Sequence, residues 1–264
     1  MWHNFSRLFR YRGLIQTLVV RDLKARYRGS VLGYFWSFVN PLLLLGIYSF
    51  VFATIMKSDD VKTQPYAVFM FCGILPWTWF SSSLLESSAS LIAGGNLIKK
   101  VLFPAEVLPI VSVFSNMVHF AFGLPILAGF MLYYGHTPLL SNFVWFPVVV
   151  LVQLILTIAF ALLVSALTVH FRDLRDLLAN VLTLWFFATP IIYPYFREGV
   201  VQYKHIFRWN PVYHLIVSYQ ESLFFGGRFG HGPWLLLLGG LSVVFFFAAY
   251  WIFDRLRDSF AEVV

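Results

Sequence analysis

The chain has 264 residues, of which 59% are hydrophobic and only 12% charged, and its formal net charge at pH 7 is +7. A soluble domain carries about 25% charged residues, so this composition excludes an ordinary water-soluble globule, and a single cysteine, Cys72, excludes an intrachain disulfide or a cysteine metal cluster. The basic excess does not point to nucleic acid, because Lys and Arg gather at the ends of apolar runs, where they set membrane topology.

The first thirty residues are polar and basic and offer no cleavable leader, so the first apolar run is expected to act as both signal and anchor. Within them Leu14, Ile15, Leu18 and Val19 recur at helical spacing, with Arg21, Lys24 and Arg28 on another side. That pattern predicts an amphipathic helix lying on the membrane surface, and a plain basic leader fits it equally. Residues 29 to 56 and 107 to 171 then carry no Asp, Glu, Lys or Arg. About 20 helical residues cross the hydrocarbon, and in lipid the backbone must satisfy its own hydrogen bonds. The runs lack the alternating polarity of a barrel strand, so they are read as helices. Six spans are predicted, at about 31–56, 66–92, 106–134, 144–169, 177–193 and 233–253, with a tail at 254–264. Thirteen of the nineteen Lys and Arg fall on the side that holds both chain ends, which the positive-inside rule places in the cytoplasm.

Between the second and third spans, Leu97, Ile98, Val101 and Leu102 flank Lys99 and Lys100 ahead of Phe103. They form a short amphipathic piece at about 96–103, suited either to docking in a partner's groove or to an ordinary surface loop. The stretch 189–227, with a re-entrant segment at about 194–225, is too polar for a clean span and too aromatic for a loop, and Pro190, Pro194 and Pro211 break it. Short helices dipping back into the outer leaflet are expected there, because irregular backbone at that depth must be covered or line a wet cavity.

No catalytic constellation emerges. The seven histidines are scattered without a metal-ligand spacing, Asp59 and Asp60 read as loop residues, and no glycine-rich phosphate loop of the Walker type occurs. Glu86, late in the second span, is a candidate intramembrane ionisable group, with snorkelling to the interface as the other reading. Arg26, Tyr27 and Arg28 enter the first span. Forked Arg donors suit phosphate, and the same arginines serve topology. Aromatic residues make up 20% of the chain. Interfacial belts account for many of them, and others would suit a conduit whose faces stack on sugar rings.

Together, RDLKARYRGSVLGYFWSFVNPLLLLGIYSFVFA (21–53), LIKKVLFPAEVLPI (97–110), HFRDLRDLL (170–178), TPIIYP (189–194) and RWNPVYHLI (208–216) resemble the membrane subunit of type-2 ABC exporters, in the branch that exports O-antigen, capsule and teichoic acid. The resemblance covers nearly the whole chain, and the opening block is its most specific part. It implies an all-α polytopic fold in the inner membrane and a homodimer joined by two ATP-binding subunits. ATP and Mg would lie on those partners, with no cofactor on this chain and a lipid-linked polysaccharide as substrate. It further implies that the amphipathic helix and Leu97–Phe103 meet the ATPase, the latter as a coupling helix. By the same resemblance a periplasmic gate forms around Pro190, Tyr193, Pro194, Tyr195, Asn210, Pro211 and Tyr213. Export of a small drug or lipid by a related permease is the alternative, followed by a membrane glycosyltransferase or acyltransferase.

Overall fold

The computed structural model describes residues 11–30, 33–51, 63–99 and 103–263. Among them every regular element is helical. The elements are α1 (Arg12–Arg26), α2 (Trp36–Ser49), α3 (Tyr66–Ala93), α4 (Gly95–Ile98), α5 (Val107–Tyr133), α6 (Leu140–Phe143), α7 (Phe146–His170), α8 (Leu174–Phe187), α9 (Glu198–Gln202), α10 (Lys204–Phe207), α11 (Pro211–Leu223) and α12 (Gly232–Val263). Among the described residues, four stretches are long and apolar enough to cross a bilayer: α3, α5, α6 continued by α7, and α12. The chain is an integral membrane protein built from helices.

The two other predicted spans fall on shorter helices. α2 has 14 residues and follows a 3-10 turn at Gly33–Phe35, while residues 31–32 and 52–62 lie outside those described. α8 also has 14 residues, about 21 Å at 1.5 Å per residue, against about 30 Å of hydrocarbon. It stops before Thr189-Pro190, since Pro190 brings no N–H and disfavours helix in the residue before it. The predicted segment 177–193 therefore divides into helix up to Phe187 and a turn beyond. At the other extreme α12 runs on past Phe253 to Val263, so the charged tail continues the last helix.

α3 is the centre of the bundle, with buried residues on nearly every face from Tyr66 to Leu91. It packs along α5 and α7, and α12 lies along α7. Lipid is as apolar as Leu, so helix association here rests on close packing and polar ties rather than on the hydrophobic effect. Trp79 Nε1 donates to Val113 O at 3.2 Å, Ser87 Oγ to Pro109 O at 3.2 Å, and Gln153 Nε2 to Pro76 O at 2.8 Å. Gly73 lets the backbone of another segment approach closely. A Cβ there would sit 3.3 Å from the Cα, Cγ2 and O of Ile191, in the turn after α8.

The bundle has two ends. At the basal end α1 lays its apolar stripe on the start of α5, with Leu18 buried among Val107, Val111 and Phe103. α4 and the C-terminal part of α12 lie at this end too, and Phe253 and Phe260 pack with Leu91, Ala105 and Leu162. At the distal end α6, α11 and the turn at 188–193 close over the start of α3. There the Tyr66 hydroxyl donates to Ile192 O, and Phe69 meets Phe224 with ring centroids 5.5 Å apart.

Candidate functional site

At the basal end, α1 terminates at Arg26, and Gly29, with φ of +80°, turns the chain ahead of α2. This termination delivers Arg26 to the side of α3. Its guanidinium donates through both terminal nitrogens to the Glu86 carboxylate, at 2.7 and 2.5 Å. Its Nε and one terminal nitrogen also donate to Asp22 Oδ2, at 3.0 and 2.9 Å. The Glu86 contact is the two-pronged fork by which arginine grips carboxylates and phosphates. Asn116 on α5 completes the knot, donating to Glu86 Oε2 at 2.6 Å and to Ser112 O at 2.9 Å. Tyr27 meets His119 edge to face, hydroxyl to Nδ1 at 3.4 Å. Burial of Arg26 lowers its proton affinity, but the hydrogen bond and charge of Glu86, with those of Asp22, outweigh it and raise the pKa above the ordinary arginine value.

The ion pair is flanked by two cavities, and both of its members line each of them. One, of about 390 Å³, runs along α3 and carries Trp36, Trp79, Phe120 and His119 in its wall. The other, of about 590 Å³, opens between α1, α3 and α5 and carries Arg21, Asp22 and Arg175. The first is aromatic and the second charged, with the Arg26–Glu86 bridge between them.

Arg26, Tyr27 and Glu86 are thus brought together, while Arg28 is exposed and lines neither cavity. Asn116 and His119 were not singled out from sequence. The signal was present, because Ser112, Asn116 and His119 fall at i, i+4 and i+7 in a mostly apolar helix, and Thr78, Ser82 and Glu86 repeat at i, i+4 and i+8 on α3. These are two polar stripes of helical period. Of the segment 97–103, Leu97 and Ile98 are in α4, Lys99 is in a turn and Phe103 lies outside regular structure, while Lys100, Val101 and Leu102 lie outside the described residues. Among the described residues no three His, Cys, Asp or Glu groups are placed to hold a metal ion.

The distal end gathers the other named residues into one hydrogen-bonded cap. Asn210 Oδ1 accepts from Val212 N, Tyr213 N and Trp185 Nε1 at 3.0, 3.3 and 2.8 Å, which caps α11 with Pro211 at its first position. Asn210 Nδ2 donates to Ala188 O and Thr189 Oγ1 at 3.2 and 3.1 Å. Pro190 O accepts from Gln220, Pro194 O accepts from Arg197 N, Tyr193 donates to Phe187 O, and Tyr195 donates to Glu221 Oε1. Tyr213 is buried against the rings of His214 and His231.

Glu221, missed in the sequence, is the hub of this cap. Its carboxylate also accepts from Gly230 N, His231 N and His231 Nδ1, at 2.8, 3.0 and 2.8 Å. Burial pushes its pKa up, but the hydrogen bonds and charge of His231 and the bond from Gly230 N prevail and hold it below the ordinary carboxylate range.

Residues 13–224 match the profile of the ABC-2 type transporter family, which is most of the chain. The chain belongs to that family. Full-length relatives agree with this. The chain is 41% identical over 258 residues to an O-antigen export system permease protein RfbA of Myxococcus xanthus, covering 97% of each. It is 34% identical over 267 residues to the Klebsiella pneumoniae protein of the same name, covering 100% of this chain and 98% of that one. A more distant relative is the polysialic acid transport protein KpsM of Escherichia coli, at 23% over 215 residues. In this ABC-2 chain the matched region contains both the Arg26–Glu86 knot and the Asn210 cap.

Proposed function

We propose that this chain is the permease subunit of an exporter that carries a lipid-linked polysaccharide, of O-antigen or capsular type, across the inner membrane. ATP is hydrolysed, with Mg, on a separate subunit, two copies of which join two copies of this chain. The observation that carries this reading is the 41% identity to an O-antigen export permease over 97% of both chains. The site geometry supports it. An arginine fork suited to phosphate stands beside an aromatic-walled cavity of about 390 Å³.

In this reading both termini are cytoplasmic and the basal end faces the ATPase. α1 and the segment Leu97–Phe103 dock on it, and Arg26 and Tyr27 receive the phosphates of the lipid carrier where substrate enters. The predicted segments that contain α2 and α8 complete six spans. The pieces α9 to α11 form the re-entrant closure of the outer exit, in which Pro190, Tyr193, Pro194, Tyr195, Asn210, Pro211 and Tyr213 hold the gate shut at rest. Movement of the ATPase on binding ATP pushes the coupling segment and displaces the spans.

The test is made in cells lacking the chain, by comparing polysaccharide on the surface with polymer held inside. Loss at the surface with accumulation in the cytoplasm is expected. Normal surface polymer would turn the reading to a small-substrate exporter, and loss from both places would indicate a biosynthetic enzyme.

A further inference from the structure

The Arg26–Glu86 bridge has three features that a simple structural tie does not need. It is two-pronged, so that Arg26 presents to Glu86 the geometry with which it would grip a phosphate. It forms part of the wall of both cavities. And Glu86 has a second donor, Asn116 Nδ2 at 2.6 Å, so its carboxylate keeps a hydrogen bond if the arginine turns away. Glu86 is only part-buried, and a carboxylate there that lost every protein donor would keep only partial hydration in exchange. With Asn116 in place, exchange of the Arg26 fork to another anion leaves neither partner bare.

We propose that Glu86 is a competing anion that occupies the Arg26 fork at rest and yields it only to a diphosphate, so that it selects the diphosphate-linked lipid over ordinary phospholipids. This deepens the function proposed above and rests on Arg26 being the phosphate contact. A phospholipid phosphodiester brings one negative charge, no more than the carboxylate already seated. A diphosphate diester brings a charge on each phosphate, and the adjoining cavity offers Arg21 and Arg175 to the second. Turning Arg26 from Glu86 to the ligand opens the partition between the charged cavity and the aromatic one. Recognition of the lipid phosphates and access to the aromatic cavity then become one event.

The experiment measures binding of a polyprenyl diphosphate esterified to a single sugar, and separately of phosphatidylglycerol, to the permease with its ATP-binding partner in nanodiscs of zwitterionic lipid. Wild type, Glu86→Gln and Arg26→Gln are compared. Gln keeps the size of Glu86 and its bond from Asn116 while removing the competing charge. The expected result is diphosphate binding roughly three- to tenfold tighter in Glu86→Gln, the scale of one part-exposed ion pair. Phosphatidylglycerol binding should also appear where wild type shows none, and Arg26→Gln should lose the diphosphate. Unchanged or weaker binding by Glu86→Gln, with Arg26→Gln still impaired, overturns the competition and leaves Arg26 as the phosphate contact. Wild-type binding by Arg26→Gln removes the contact and the competition with it. Should Glu86→Gln fail to assemble, Glu86→Asp decides. Its shorter carboxylate holds the fork less well and should tighten binding in the same direction by a smaller factor, and equal or weaker binding overturns the proposal.

Discussion

Asn210 joins three parts of the distal cap through one side chain, since its oxygen serves α11 and Trp185 while its nitrogen serves the turn after α8. Loss of an N-cap alone costs about 0.5–2 kcal/mol. Asn210→Ala is therefore expected to lower stability by at least about 1 kcal/mol, and Asn210→Asp, which keeps the acceptor and loses both donated bonds, by less. Thermal unfolding of the two variants in detergent checks the order. Glu221 gives the distal cap a pH dependence of definite sign. Its folded pKa is depressed, so the unfolded chain binds more protons in the window between the two values, and stability rises with pH there. The contribution is complete above the ordinary glutamate value of about 4.3 and is lost as pH falls through the lower folded one. Acidification below about pH 4 should lower the melting temperature of wild type more steeply than that of Glu221→Gln.

At the scale of elements, the contact between α3 and the turn after α8 depends on Gly73, because the atoms a Cβ would meet at 3.3 Å include the backbone of Ile191. Gly73→Val should force the turn off α3 and destabilise by about 1–3 kcal/mol, the usual range for overpacking. Gly129, with no atom near a built Cβ, is the control position for the same melting experiment. In the function proposed above, the segment after α3 bears on coupling rather than stability. Replacing both Lys99 and Lys100 by Glu is expected to uncouple export while the protein remains in the membrane at normal abundance. Unchanged export in that variant would remove the docking role proposed for Leu97–Phe103.

For the whole molecule, the separation of its two polar centres matters most. The Arg26 knot sits at the basal end and the Glu221 cap at the distal end, with the α3–α5–α7 packing between them. Nothing in the sequence supplies a Walker loop. If the function proposed above holds, the purified chain hydrolyses no ATP by itself and supports hydrolysis only when an ATP-binding subunit is added, as a phosphate-release assay would record.

The sequence by itself determined that this is a helical membrane protein and roughly where its long helices run. In lipid each segment must satisfy its own backbone, so uncharged length alone dictates local structure. Proline also acts locally, and the stop of α8 before Pro190 was open to reading from Thr189-Pro190 alone. Arg26 and Glu86 were each visible as candidates, yet nothing in the sequence joined residues sixty positions apart. Their pairing depends on how α3 is rotated about its axis and on where α1 ends against it. Apolar pattern does not fix that rotation, because a lipid-facing helix face and a protein-facing one are equally hydrophobic. The same rotation brought Asn116 onto Glu86, and the fold of the short distal helices brought Gly230 and His231 onto Glu221. Those pairings, and with them the chemistry of both ends, were decided by the tertiary structure.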